Sequence, residues 1–319
     1  MSACARCASP VEADDLRCAI CGMATAHARA ARRATERTIA KILRCDGCGA
    51  ALSYVAEVGA PRCVFCAAVM RVEQPSDPLE VAERVLPFAV TPDAARAALR
   101  RWLGSRGFFR PSDLATASLE ALKPTLWCAW LVGADALVSW TADSNAGSGR
   151  SSWAPHAGQT PMRFERLVIP ASRGLTHPEC VRLVPSYDVG ALLPAASAHA
   201  GALVEQFDVQ RSAARRHVVE AIERTAAARL VSENAIPGSS FRHVRVSALL
   251  RSMHTDRVAL CAYVLAYRYK GHSYRAIVHG QDPRVTFGEA PLSIAKIAIV
   301  VAIVLGVIAA IVAVLATRG

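Results

Sequence analysis

The chain has 319 residues, 53% of them hydrophobic and 20% charged, with a formal net charge of +11 at pH 7 and a pI near 9.4. This composition excludes an intrinsically disordered chain, and 11 cysteines over such a length are too few for a disulfide-stapled miniature scaffold. The positive balance permits anionic lipid or nucleic acid as a partner and establishes neither.

From the N-terminus, four Cys-x-x-Cys pairs follow one another: Cys4/Cys7, Cys18/Cys21, Cys45/Cys48 and Cys63/Cys66. Zinc favours a tetrahedron of soft ligands, and one tight x-x turn presents two sulfurs to one ion. Two such turns close a site. The spacing therefore predicts two structural zinc ions, with Cys4, Cys7, Cys18 and Cys21 on one and Cys45, Cys48, Cys63 and Cys66 on the other. A cross-braced pairing of the same eight thiolates stays open. Gly22 and Gly49 follow second cysteines, where a knuckle turn needs a positive φ. The opening residues carry no signal-peptide pattern, so reduced thiolates rather than disulfides are expected, and with them a cytoplasmic N-terminal bulk. Thioredoxin-like redox chemistry expects one such pair beside a βαβ unit, not four in tandem. Four thiolates also fill the zinc tetrahedron and leave no position for an activated water, which disfavours metal catalysis. Cys128, Cys180 and Cys261 read as small apolar core residues.

The chain then divides as zinc ribbon 1 (1–22), a basic connecting helix (23–44), zinc ribbon 2 (45–72) and a linker (73–79). Next come an α+β region (80–290) and a C-terminal transmembrane helix (294–316). The connecting segment lacks proline and places Arg29, Arg33, Arg37 and Lys41 four apart. That stripe reads as a solvated helix face, or alternatively as a phosphate- or lipid-binding edge.

Within 80–290 the sequence echoes itself. FAVTPDAAR at 88–96 matches FDVQRSAAR at 207–215, and WCAWLV at 127–132 resembles LCAYVL at 260–265 in the same order. Two ordered matches predict a helix-then-strands unit repeated over about 86–190 and 205–290. Thr91 and Pro92 open the first helix, and the second runs to about Leu230. Strands are expected over 126–140, 163–169 and 258–278, the last a hairpin turning at Lys270-Gly271. Tyr263, Tyr267 and Tyr269 form an aromatic row that belongs in a core. Residues 142–161, rich in Gly, Ser and Ala, read as a long mobile loop. The fold class is α+β with antiparallel sheets against helices.

No Walker loop, Gly-x-Gly-x-x-Gly, His-Glu-x-x-His or Gly-x-Ser-x-Gly motif is present. His254 and Asp256, close in sequence, read as a solvated pair near a loop. The expected protein is not an enzyme.

The closing stretch 297–316, IAIVVAIVLGVIAAIVAVLA, has no charged or polar side chain. Its length suits a helix crossing the roughly 30 Å hydrocarbon core of a bilayer. This predicts a single-pass, tail-anchored protein of the inner membrane.

The chain resembles the bacterial membrane-associated zinc-ribbon proteins described as general-transcription-factor-B-type zinc ribbons or as relatives of primosomal protein N-prime. The resemblance rests on LPFAVT at 86–91, FFRP at 108–111, VIPAS at 168–172, YRYKGHSY at 267–274, VHGQ at 278–281 and GEAPLS at 288–293. It departs from the family where Cys128-Ala129-Trp130 stands in place of Pro-x-Trp, and where His279 stands in place of Asn. The resemblance implies a membrane-tethered adaptor whose ribbons bind a cytoplasmic or membrane-associated protein, with phage-shock-type or flotillin-like proteins as partners. Two other functions compete with it. One is nucleic-acid binding through the ribbons and the basic stripe, against which aromatic residues near the cysteines are only Tyr54 and Phe65. The other is an enzyme in the α+β region.

Overall fold

A computed structural model of the chain describes residues 2–13, 15–18, 20–27, 42–47, 50–53, 62–63, 68–73, 80–105, 107–147, 152–197, 201–209 and 211–316. The basic stripe of Arg29, Arg33, Arg37 and Lys41, the linker 74–79, Cys48, Gly49 and Cys66 lie outside the described residues.

Three sheets form. Strands β1 (Ser2–Ala3) and β2 (Pro10–Val11) make a small antiparallel pair at the N-terminus. Strand β3 (Ile42–Cys45) lies between β4 (Ala51–Ser53) and β5 (Met70–Glu73), both antiparallel to it. Residues 42–44, placed at the end of a connecting helix by sequence, thus open a strand. An eight-stranded sheet holds the rest: β6 (Arg84–Val85), β7 (Ser118–Ser144), β8 (Ala154–Pro170), β9 (Leu193–Pro194), β10 (Leu203–Val204), β11 (Phe241–Tyr269), β12 (His272–His279) and β13 (Thr286–Gly288). Helices α1 (Pro92–Gly104), α2 (His177–Leu183) and α3 (Arg211–Ser232) pack on it, and α4 (Ile294–Ala316) follows.

The spine is the antiparallel pair of β7 and β11, 27 and 29 residues long, several times an ordinary strand. The two echoed sequences sit side by side on it, with Trp127 opposite Leu260 and Ala129 opposite Val258. Their surroundings match contact for contact. Trp130 lies against Phe207, ring centroids 4.7 Å apart, and its indole N–H donates to the Val209 carbonyl. Tyr263 lies against Phe88 at 4.9 Å, and its hydroxyl donates to the Val90 carbonyl. The backbone N–H groups of Asp208 and Val209 both donate to Ala171, whose own N–H donates to Cys128; those of Ala89 and Val90 both donate to Gly280, whose N–H donates to Cys261. Strand β10 runs parallel to β7 at Thr125 and Leu126, as β6 does to β11 at Val258 and Ala259.

The helices cross over between these two halves. In α1, Ala95, Ala98, Leu99, Trp102 and Leu103 recur at helical spacing and bury against Tyr263, Leu265, Tyr267, Ala276 and Val278 of β11 and β12. The Thr91 hydroxyl accepts from the Ala94 N–H, and Pro92 needs no donor there. In α3, Ala214, Val218, Ile222, Ala226 and Leu230 bury against Trp130, Val132, Phe164 and Ile169 of β7 and β8. Each helix therefore seals the hairpin of the other half. The tyrosine row is core, as its spacing suggests, with Tyr263, Tyr267 and Tyr269 all buried. The Lys270-Gly271 turn has φ of 49° and 83°, the left-handed values a two-residue hairpin requires.

Two expectations need correction. Residues 142–161 are not one long loop: β7 continues to Ser144 and β8 begins at Ala154. The small residues there are packing partners, since a Cβ on Gly158 would lie 2.7 Å from the Trp140 ring. The transmembrane part of the expected fold is also overturned. Among the described residues, no helix is long and apolar enough to cross a membrane. What α4 does show is apolar side chains open on every side, with Ile294, Ile299, Val301, Ile303, Val304, Leu305, Val307, Ile308 and Ile311 all at least half exposed.

Candidate metal centre

Among the described residues, the same two backbone contacts flank each Cys-x-x-Cys pair. The first cysteine's N–H donates to the carbonyl five residues on: Cys4 to Ser9, Cys18 to Met23, Cys45 to Ala50 and Cys63 to Ala68, at 2.8–2.9 Å. The residue before that cysteine pairs antiparallel with the sixth residue after it, as Ala3 with Pro10, Arg17 with Ala24, Arg44 with Ala51 and Arg62 with Val69. In the first two corners the chain turns back at a residue of positive φ, Ala8 at 56° and Gly22 at 68°. Only glycine takes that value without strain, which accounts for Gly22.

In the first pair of corners the thiols converge. The Sγ atoms of Cys4, Cys7, Cys18 and Cys21 all lie within 4.8 Å of one another, close enough to hold one metal ion. Cys4 and Cys21 approach to 3.6 Å between sulfurs, as do Cys7 and Cys18. A tetrahedral zinc with Zn–S bonds near 2.3 Å sets its sulfurs about 3.8 Å apart, close to the spacing of these two pairs. Sequence reasoning missed Ser9. Its hydroxyl lies 2.9 Å from the Cys7 sulfur and 3.0 Å from that of Cys18, and it bridges two ligands of the cluster. A serine two residues beyond a Cys-x-x-Cys pair was the available signal.

The electrostatics are those of crowded thiols. The Ser9 hydroxyl, aided by the N–H groups of Cys21 and Ile20, brings the Cys18 thiol down to about 6, and Ser9 also lowers Cys7. For Cys21 the Met23 N–H pulls downward, but burial and the three neighbouring sulfurs together push it up to about 11. Sulfurs so close cannot all ionise without a cation among them.

In the second pair of corners, Cys45 and Cys63 are both buried, in one hydrophobic cluster with Leu43, Ala50, Met70, Leu126 and Trp127. Their partners Cys48 and Cys66 are outside the described residues. This ribbon is built into the body: Arg44 pairs with Asp208 at 3.1 Å, and the Gln206 N–H donates to the Ala51 carbonyl.

The remaining candidates separate. His254 and Asp256 both lie in β11, where the His254 ring sits over Gly133 and Asp256 pairs with Arg84 at 2.6 Å. Cys128, Cys180 and Cys261 are buried, and burial raises all three thiols. Glu205, fully buried, accepts from the Ser172 hydroxyl at 2.7 Å and the Gly174 N–H at 2.8 Å; burial outweighs these bonds and brings it up to about 7. Compared with family models, with characterised proteins and with solved structures, the chain matches none.

Proposed function

We propose that the protein is a non-enzymatic adaptor held at a membrane, whose zinc-bearing ribbons bind a cytoplasmic partner protein. The observation that carries this reading is the closed four-thiolate cluster of Cys4, Cys7, Cys18 and Cys21. A fully liganded zinc offers no open position for substrate, so its use is to rigidify a surface. The first small sheet buries few side chains besides its cysteines, so metal binding would supply much of its folding energy. The second ribbon would take the same ion through Cys45, Cys48, Cys63 and Cys66. Because it packs on the main sheet, it would present its surface in a fixed orientation to the body.

Membrane attachment is supported by α4. An apolar helix open to solvent on every described side is unstable in water and comfortable in lipid. Thiolates that must stay reduced to hold zinc support a cytoplasmic side for the ribbons.

The test is recovery of partners from native membranes in mild detergent, with wild type and Cys45→Ala compared. A specific protein should co-purify with wild type and be reduced at least about ten-fold with the variant, in which zinc can no longer order the second ribbon. Equal recovery by both would remove the ribbon from the interaction.

A further inference from the structure

A loop at the foot of α4 shows how the body meets the membrane. After α1 the chain turns through 107–110 and exposes two adjacent phenylalanines. Phe108 is 63% and Phe109 45% exposed, with their rings edge to face at 5.5 Å. Single exposed apolar residues are common and need no explanation, but this pair is held in place. The Ser293 N–H, immediately before α4, donates to the Phe109 carbonyl at 2.8 Å. The Lys296 ammonium, in the first turn of α4, donates to the Arg110 carbonyl at 2.9 Å and stands 5.6 Å from the Phe108 ring centroid. Leu292 and Ile294, on either side of Ser293, are 57% and 82% exposed. The apolar helix and the phenylalanine pair are thus parts of one surface.

Charge on this surface is mostly positive. Arg110 and Lys296 are joined by Lys270 at the β11–β12 turn, which lies over the Tyr269 ring at 5.2 Å. The nearby acid, Asp113, accepts from the Tyr269 hydroxyl at 2.6 Å. Exposed aromatics beside lysine and arginine, at the root of a helix with no polar side chain after Lys296, match the chemistry of the headgroup layer. Rings enter the acyl boundary, and the cationic heads stay among phosphates.

We infer that Phe108 and Phe109, flanked by Arg110, Lys270 and Lys296, insert into the interface of an anionic lipid bilayer and fix the body's tilt on it. This rests on the reading that α4 attaches the protein to lipid, and it assigns a second contact. The spine would then stand away from the bilayer. Leu249, 67% exposed on β11, is twenty residues from Tyr269, or roughly 65 Å at about 3.3 Å per residue.

The test uses the full-length chain in vesicles of phosphatidylcholine and phosphatidylglycerol whose lipids are brominated near the top of the acyl chain. Emission added by Phe108→Trp, and separately by Phe109→Trp, is taken as the difference from wild type, which has 5 tryptophans. In vesicles both added signals should shift to the blue and be quenched about two-fold or more, while the signal added by Leu249→Trp is unquenched. If the chain floats with the vesicles but both added signals stay solvent-like, the loop does not touch lipid and the inference fails while the helix reading stands. A blue shift without quenching also overturns it, since a second protein copy then covers the rings. Failure of the chain to float sinks the helix reading and this inference together.

Discussion

His279, the last residue of β12, is completely buried. Its Nδ1 accepts from the N–H groups of Gln281 and Asp282, both at 3.0 Å, which keeps the ring neutral at that atom. Burial, partly opposed by Asp282, lowers the imidazole to about 4. A histidine depressed in the folded state from an ordinary 6.5 loses stability as pH falls from about 6.5 to 4, because only the unfolded chain readily takes the proton. An asparagine can accept the same bonds through its amide oxygen and does not titrate. His279→Asn should therefore flatten the acid limb of stability, with about 1–2 kcal/mol less loss between pH 6.5 and 4 than wild type, read from urea melts at each pH. An unchanged acid limb would mean that the ring is not the titrating group. The cysteine corners are the residues most plainly written in the sequence, since their chemistry is local. Ser9 was not, because its role depends on two knuckles folding toward each other.

At the scale of elements, the matched contacts of the two halves give a direct measurement. Tyr263 and Trp130 each send a buried side-chain donor to the carbonyl of the strand-to-helix segment of the opposite unit. Tyr263→Phe keeps the ring against Phe88 and removes only the hydroxyl, leaving the Val90 carbonyl without that donor. A loss of about 1–2 kcal/mol in unfolding free energy is expected, and Trp130→Phe should lose at least as much because it also shrinks the contact with Phe207. No change in either would show that the helices are not pinned this way. The sequence echo marked these segments and their order. It could not show that each helix seals the other half's hairpin, because that depends on β7 and β11 pairing across more than a hundred residues. The stretch 142–161 was misread for a related reason. Gly158 looks like a loop residue until Trp140, eighteen positions before it, is placed over it. The apolar run of α4 was legible as a helix, and its expected span is not met among the described residues.

The whole molecule joins a cysteine-rich front, a long two-part sheet and an unsheltered apolar helix. The adaptor reading ties these together: the ribbons would recruit, the sheet would set distance, and the helix and its flanking phenylalanines would hold lipid. Its recruiting part depends on the thiolates carrying metal, because without an ion the four sulfurs of the first ribbon crowd one another. The decisive measurement is native mass spectrometry of reduced full-length protein purified without added metal. Two zinc ions per chain are expected for wild type, and one each for Cys4→Ser and Cys45→Ser. A wild-type chain that carries no zinc and unfolds no more readily in the presence of a chelator would contradict the account.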